Sequence, residues 1–355
     1  MKTINPSLVG RILIRGVNWI GDAVMTTPAI GAVREQFPAA EITLLANPLV
    51  AELFSPHDWV DRVVVFDRKG RHHGIGGRIR LAAELRQQRF DLAVILPNSF
   101  DSALVPWLAG IPHRLGKRSD GRGWLLTHRY SATNETPGRH EVRYYIDLLA
   151  HFGISGRATA PYLVTTPAED ADAAALLAAH GIEGGNFVLG INPGATFGSA
   201  KRWYPERFAQ VARRLAAEWK ARVVIFGGPD ETGIAAEIEQ HMAGTCLNLA
   251  GRTTVRNLMA LIRRCDFFIT NDSGPMHIAA AFGIPLVAIF GPTDHTGTAP
   301  YSDRAVVVRK EIDCAPCKLR ECPSDHRCMT MVTADDVVAA AMGLFRQTPA
   351  REARS

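Results

Sequence analysis

No stretch of this 355-residue chain stays apolar for the roughly 20 residues that a helix needs to cross a bilayer. The N-terminus also lacks the basic, apolar and small-residue succession of a signal peptide, so a cytoplasmic location is expected. Charge is sparse: Asp, Glu, Lys and Arg make up 21% of the residues, and the formal net charge is only +5. Zinc-finger, RRM and basic-helix patterns are absent, so nucleic acid is not an expected partner. A mild positive excess of this kind suits acidic ligands or an anionic membrane surface instead. Short repeats and low-complexity tracts do not occur. The P-loop spacing Gly-x4-Gly-Lys-[Ser/Thr] is missing too. What is present is an ordinary globular composition, 47% hydrophobic, on a chain too long for one typical core.

Two α/β domains are therefore expected. In the first half, short apolar and β-branched runs at residues 11–14, 41–45, 62–66 and 91–96 alternate with helical patterns at 25–36 and 79–88. Composition shifts near residues 155–167, where Gly, Pro and Thr are frequent. The second half then repeats the scheme. Strand-like runs at 187–191, 222–226, 267–270, 286–290 and 306–308 alternate with helices at 205–218, 232–242 and 255–263. Such alternation predicts doubly wound parallel sheets. The expected domains are residues 1–165 and 166–333, with a helix in 334–355 returning to pack on the first domain. A ligand is expected in the cleft between two such domains.

Three segments carry chemistry. After the first strand runs Arg15-Gly-Val-Asn-Trp-Ile-Gly-Asp22, which lacks the third glycine of a dinucleotide fingerprint and so disfavours a nicotinamide cofactor. Asp22 reads either as a helix N-cap or as a carboxylate at the sheet edge, able to take a proton from a nucleophilic hydroxyl. In the second half, Asn192-Pro-Gly-Ala-Thr196 and Lys201 offer a glycine, a hydroxyl and an ammonium suited to a diphosphate. Glu231 follows the next strand, where it would bind a ribose hydroxyl or simply stand at an exposed helix start. Finally, Thr270-Asn-Asp-Ser-Gly-Pro-Met-His277 passes from a buried strand into a helix. With Asp272 or Ser273 as cap it is a plain helix start. With Gly274 letting a ligand close to free amides, it is a phosphate site. His277 is equally a packed core residue or a ligand contact.

Basic residues cluster in two runs of the first half. Residues 68–80 hold five Lys or Arg and two His with no acid, and 113–129 hold Arg114, Lys117, Arg118, Arg122 and Arg129 against Asp120. A solvated loop is the ordinary fate of such runs; two of them favour a polyanionic substrate. Four of the six cysteines lie in Cys314-x2-Cys317-x4-Cys322-x5-Cys328, a density that suggests metal but a spacing that fits no standard zinc pattern. Reduced thiols, a loop staple and bound metal all stay open.

Residues 15–22, 201–205 and 271–294 together resemble the bacterial lipopolysaccharide heptosyltransferases of glycosyltransferase family 9, and the likeness spans residues 11–337. The motif pair Gly-Val-Asn-Trp-Ile-Gly-Asp and Asn-Asp-Ser-Gly-Pro-Met-His is nearer to the type II enzymes than to type I. That resemblance implies a GT-B fold of two Rossmann-like domains. It implies inverting transfer of L-glycero-D-manno-heptose from ADP-heptose to the first heptose of the inner core, with no metal and no cofactor. It assigns Asp22 as general base, Thr196 and Lys201 to the donor phosphates, and Asp272, Ser273, Gly274 and His277 to the diphosphate and sugar. Arg68, Lys69, Arg71 and Arg118 would then meet the phosphates and Kdo carboxylates of a heptosyl-Kdo-lipid A acceptor at the inner face of the cytoplasmic membrane. The alternatives are a type I or III enzyme, another nucleotide sugar, or a non-catalytic binder of nucleotide sugar or lipopolysaccharide.

Overall fold

The computed structural model describes residues 4–131 and 138–347, and the chain forms two compact units, residues 1–164 and 165–355. In the first unit, β1 (Arg11–Arg15), β2 (Glu41–Ala46), β3 (Arg62–Val65), β4 (Leu92–Ile95), β5 (His113–Lys117) and β6 (His128–Tyr130) form one sheet. All its pairings are parallel, in the order β3-β2-β1-β4-β5-β6. Its helices are α1 (Ile20–Gln36), α2 (Pro48–Leu53), α3 (Gly74–Gln87), α4 (Phe100–Leu108) and α5 (Glu141–Ala150).

The second unit opens with α6 (Pro167–Ala179), whose start is a capping box: Thr166 receives the Glu169 amide, and Glu169 receives the Thr166 amide. The sheet that follows contains β7 (Val188–Asn192), β8 (Arg222–Ile225), β9 (Cys246–Asn248), β10 (Phe267–Asn271), β11 (Leu286–Ile289) and β12 (Ala305–Val308). Its order is β12-β11-β10-β7-β8-β9, again all parallel. The helices between and after these strands are α7 (Pro205–Trp219), α8 (Thr232–His241), α9 (Val255–Arg264), α10 (Gly274–Ala281), α11 (His295–Thr298), α12 (Arg327–Thr330) and α13 (Ala334–Gln347).

Numbered within its own unit, each sheet has the same order, 3-2-1-4-5-6. Strand order therefore reverses between β1 and β4 in one unit and between β7 and β10 in the other. Crevices outside the carboxyl ends of strands at such reversals are where open α/β sheets hold ligands. The turns that leave β1, β7 and β10 are those that carry Asp22, Thr196 and Asp272.

The central strands are apolar without alternation because helices cover both faces. Ile12, Leu13 and Ile14 of β1 and Phe267, Phe268 and Ile269 of β10 are all fully buried. In the second unit Trp203, Phe208, Leu215, Ile225 and Phe267 share one core, which continues into Val337, Ala341 and Leu344 of α13. Within the second unit α13 lies on α7, β11 and β12. Its buried stripe at i, i+4 and i+7 is spent in that core, and Phe345 stacks on Trp219 with ring centroids 4.7 Å apart. Residues 348–355 of that segment lie outside the described residues. Among the described residues no helix is long and apolar enough to cross a membrane.

Candidate active site

Asp22 stands in the first turn of α1, and the residue at the N-cap is Trp19, which makes no side-chain cap bond. The cap reading of Asp22 thus gives way to an acid inside the first turn, where the helix dipole favours its ionised form. Its side chain is half-buried. The neighbouring Tyr145 on α5 is pushed well above the usual phenol range, first by burial and then by the charges of Asp22 and Glu141. The turn before Asp22 is held from below by Arg15, a buried guanidinium whose Nη2 donates to the Asn18 side chain at 3.2 Å. Burial lowers the Arg15 pKa to about 10, still charged at neutral pH.

In the second unit three loops are sewn together at the strand reversal. Lys201 ends a short 3-10 turn, Ser199–Lys201, and its Nζ lies 2.6 Å from Asp272 Oδ2 with both side chains largely shielded from water. The Thr293 hydroxyl donates to the same carboxylate at 2.6 Å, bringing in the loop after β11. Asn271 ties β10 to the lysine loop: its Oδ1 accepts from the Trp203 amide at 3.2 Å, and its Nδ2 donates to the Pro193 carbonyl at 2.6 Å. Ser273 is the N-cap of α10, but its hydroxyl makes no cap bond and lies 3.1 Å from both the Asn192 amide and the Thr270 hydroxyl. The first turn of α10 thus receives no side-chain cap from Ser273, an arrangement chemically suited to an anion.

Glu231 reaches the same loops. It ends the 3-10 turn Pro229–Glu231, and its Oε2 accepts the Gly228 amide at 2.7 Å. A Cβ on residue 194 would stand 1.9 Å from the Glu231 carboxyl carbon, so the carboxylate packs directly on the Gly194 backbone and would have to shift for any larger residue. Glu231 is buried, not at an exposed helix start. Thr196 is exposed on the loop after β7, and His277 is buried on α10. Sequence reading gave no role to Asn271 or Thr293. The available signal was a polar residue at the end of an otherwise apolar strand or just after one.

The basic runs divide in the folded chain. Arg68 pairs with Asp101 at 3.4 Å and Arg71 with Glu84 at 2.5 Å, so two of the four expected acceptor cations carry acidic neighbours that come from α3 and α4. Lys69 is exposed. Arg118 lines an open cavity of about 520 Å³ together with Trp124 and Arg129. Arg122, counted in the same run, is completely buried and donates to the carbonyls of Lys117, Pro97 and Ser99. It holds a loop and is unavailable to a substrate.

Residues 78–327 match the model of glycosyltransferase family 9 (heptosyltransferase). The chain belongs to this family. A lipooligosaccharide heptosyltransferase 2 of Haemophilus influenzae is 33% identical over 308 residues, covering 84% of this family 9 chain and 88% of the relative. The lipopolysaccharide heptosyltransferase 2 of Escherichia coli K12 is 34% identical over 307 residues, with the same coverage, 84% and 88%. The solved structure of E. coli ADP-heptose lps heptosyltransferase II superposes with a TM-score of 0.79 at 31% identity, covering 95% of this chain and 99% of that one. This family 9 protein is thus a glycosyltransferase of GT-B fold that transfers heptose. The reading as a non-catalytic binder is not favoured.

Among the described residues all six cysteines are free thiols, and no three His, Cys, Asp or Glu side chains stand in metal-ligand geometry. Their environments differ. Amides of Ser324 and His326, with the Ser324 hydroxyl, hold the Cys322 thiol below its usual range. Burial pushes Cys328 up to about 11, with the neighbouring thiols adding to it, and burial likewise pushes Cys246 up to about 11. Thiolate is the reactive form. Iodoacetamide near pH 8 should therefore alkylate Cys322 before Cys328 or Cys246 when peptides are mapped by mass spectrometry. Earlier labelling of Cys328 would contradict this order.

Proposed function

We propose that the protein moves L-glycero-D-manno-heptose from ADP-heptose to the first heptose of the lipopolysaccharide inner core. The observation that carries the donor half is the Lys201–Asp272 pair at the start of α10. A cation and a set of helix amides converge where a leaving diphosphate gathers charge. Thr196 and Lys201 meet the phosphates, Asp272, Ser273, Gly274 and His277 frame the diphosphate and sugar, and Glu231 serves the ribose. In the step itself an acceptor hydroxyl attacks the anomeric carbon and the carbon–oxygen bond to the diphosphate breaks. The electron pair stays on the diphosphate, the hydroxyl proton passes to Asp22, and the configuration inverts. The leaving charge is met by Lys201 and helix amides, so no metal is required.

For the acceptor, Lys69 and Arg118, with Arg68 and Arg71 behind their acidic neighbours, face phosphates and Kdo carboxylates. Exposed Trp107, Trp124, Ile75 and Ile79 lie on α3, α4 and the loop after β5, among these bases, and support peripheral contact with the inner face of the cytoplasmic membrane. The test uses purified protein, ADP-heptose and defined core acceptors, read by mass spectrometry. Addition of one heptose to heptosyl-Kdo-lipid A in EDTA is the expected result. Transfer only to heptose-free Kdo-lipid A would reject the type II assignment, and loss of transfer in EDTA would reject the metal-free step.

A further inference from the structure

The four-cysteine segment, which runs from β12 into α12, folds against the loops of the donor site. The Ala200 amide donates to the Arg320 carbonyl at 2.9 Å, one residue before Lys201. Gly198 fits under that carbonyl, since a Cβ there would stand 2.2 Å from its oxygen. From the other side His326 Nε2 lies 2.7 Å from the Ala200 carbonyl, and its Nδ1 lies 3.2 Å from the Tyr204 hydroxyl. Further along, the Lys318 amide donates to the Pro292 carbonyl at 2.7 Å, beside the threonine that holds Asp272. The segment thus braces both the turn that presents Lys201 and the loop behind its partner.

It also brings a charge. The Arg320 guanidinium carbon lies 5.4 Å from the centroid of the Phe197 ring, and Lys201 Nζ lies 4.9 Å from the same centroid. Lys201 is already matched by Asp272. Arg320 is exposed, and among the described residues no carboxylate lies within ion-pair distance of it. Two cations gather on one ring and only Lys201 has a carboxylate partner, which leaves an unmatched positive charge beside the turn that precedes α7. A diphosphate is the matching ligand: each phosphate is anionic, and charge grows on it as the sugar departs. A guanidinium binds two phosphate oxygens in a fork that an ammonium cannot reproduce.

We propose that Arg320 is a second cation of the donor-diphosphate site, carried into place by the four-cysteine segment. The proposal rests on the donor reading given above. Arg320→Gln keeps the backbone carbonyl that supports Ala200, so the brace survives while the charge is removed. Calorimetric titration with ADP and with adenosine is the measurement, on the full chain. The Gln variant should bind ADP about 10-fold more weakly, the loss expected for one charge-assisted contact, with adenosine affinity unchanged. Arg320→Lys should recover part of the loss. Lys201→Met is the control. Should Lys201→Met weaken ADP while Arg320→Gln binds it within about 2-fold of the wild type, the Arg320 proposal is wrong and the donor site stands. Were neither substitution to change ADP affinity, the donor reading itself would fail. An equal loss for adenosine and ADP in Arg320→Gln would overturn the proposal as well, since a phosphate contact cannot act on a ligand without phosphate.

Discussion

Asp22→Asn is expected to lower kcat by about 10²–10⁴-fold, the range that loss of a positioned general base produces. The amide occupies the same volume in the first turn of α1 but cannot take the proton of an acceptor hydroxyl. ADP affinity should stay within about 2-fold of wild type, because every residue proposed for the donor belongs to the second unit. That split matters: a substitution that merely disturbed folding would lower binding and turnover together. Single-turnover transfer and ADP titration, made on the same preparation, separate the two. Retention of more than a tenth of wild-type turnover would remove Asp22 from the role of base.

Asp272→Ala is expected to cost stability on a comparable scale. Lys201 and Asp272 are 13% and 5% exposed, so each charge depends on the other. Removing one partner of a buried pair typically costs about 3–5 kcal/mol, because the remaining charge is left desolvated without compensation. The Thr293 hydroxyl loses its acceptor in the same change. Urea unfolding of the full chain measures this, read as a transition of the second unit where the two units unfold separately. Saturating ADP should return part of the loss, since the diphosphate supplies Lys201 with a new counter-charge. A loss below about 1 kcal/mol would mean that water reaches the pair and that the site is more open than its burial shows.

The nine strands expected from apolar runs are all present, with ends shifted by one residue in most cases. At 267–270, for example, the strand extends one residue further, to Asn271. Three strands gave no such signal: His113–Lys117, His128–Tyr130 and Cys246–Asn248. The first two are hidden inside a basic run, and the third is only half-buried throughout. Toward the edge of a sheet a strand is no longer covered on both faces, so its composition need not be apolar. For α13 the sequence indicated a helix, and only the fold shows that its buried face lies on α7, β11 and β12.

The candidate site divides along the same line. Glycines, an acid and a hydroxyl just past apolar strands marked the turns that leave β1, β7 and β10, because in a parallel sheet those turns are short and their residue types are dictated by local backbone geometry. The sequence by itself determined that much: two doubly wound halves, the loops that carry chemistry, and the family whose motifs they share. Pairing was decided only by the tertiary structure. Asp272 meets Lys201 across 71 positions of chain, Arg68 and Arg71 find their acids on neighbouring helices, Arg122 disappears into carbonyls, and Arg320 arrives beside Phe197 from the far side of β12. Charge at a position is a local property of the chain. What that charge is worth depends on which groups the fold brings within a few ångströms and how much water it leaves between them.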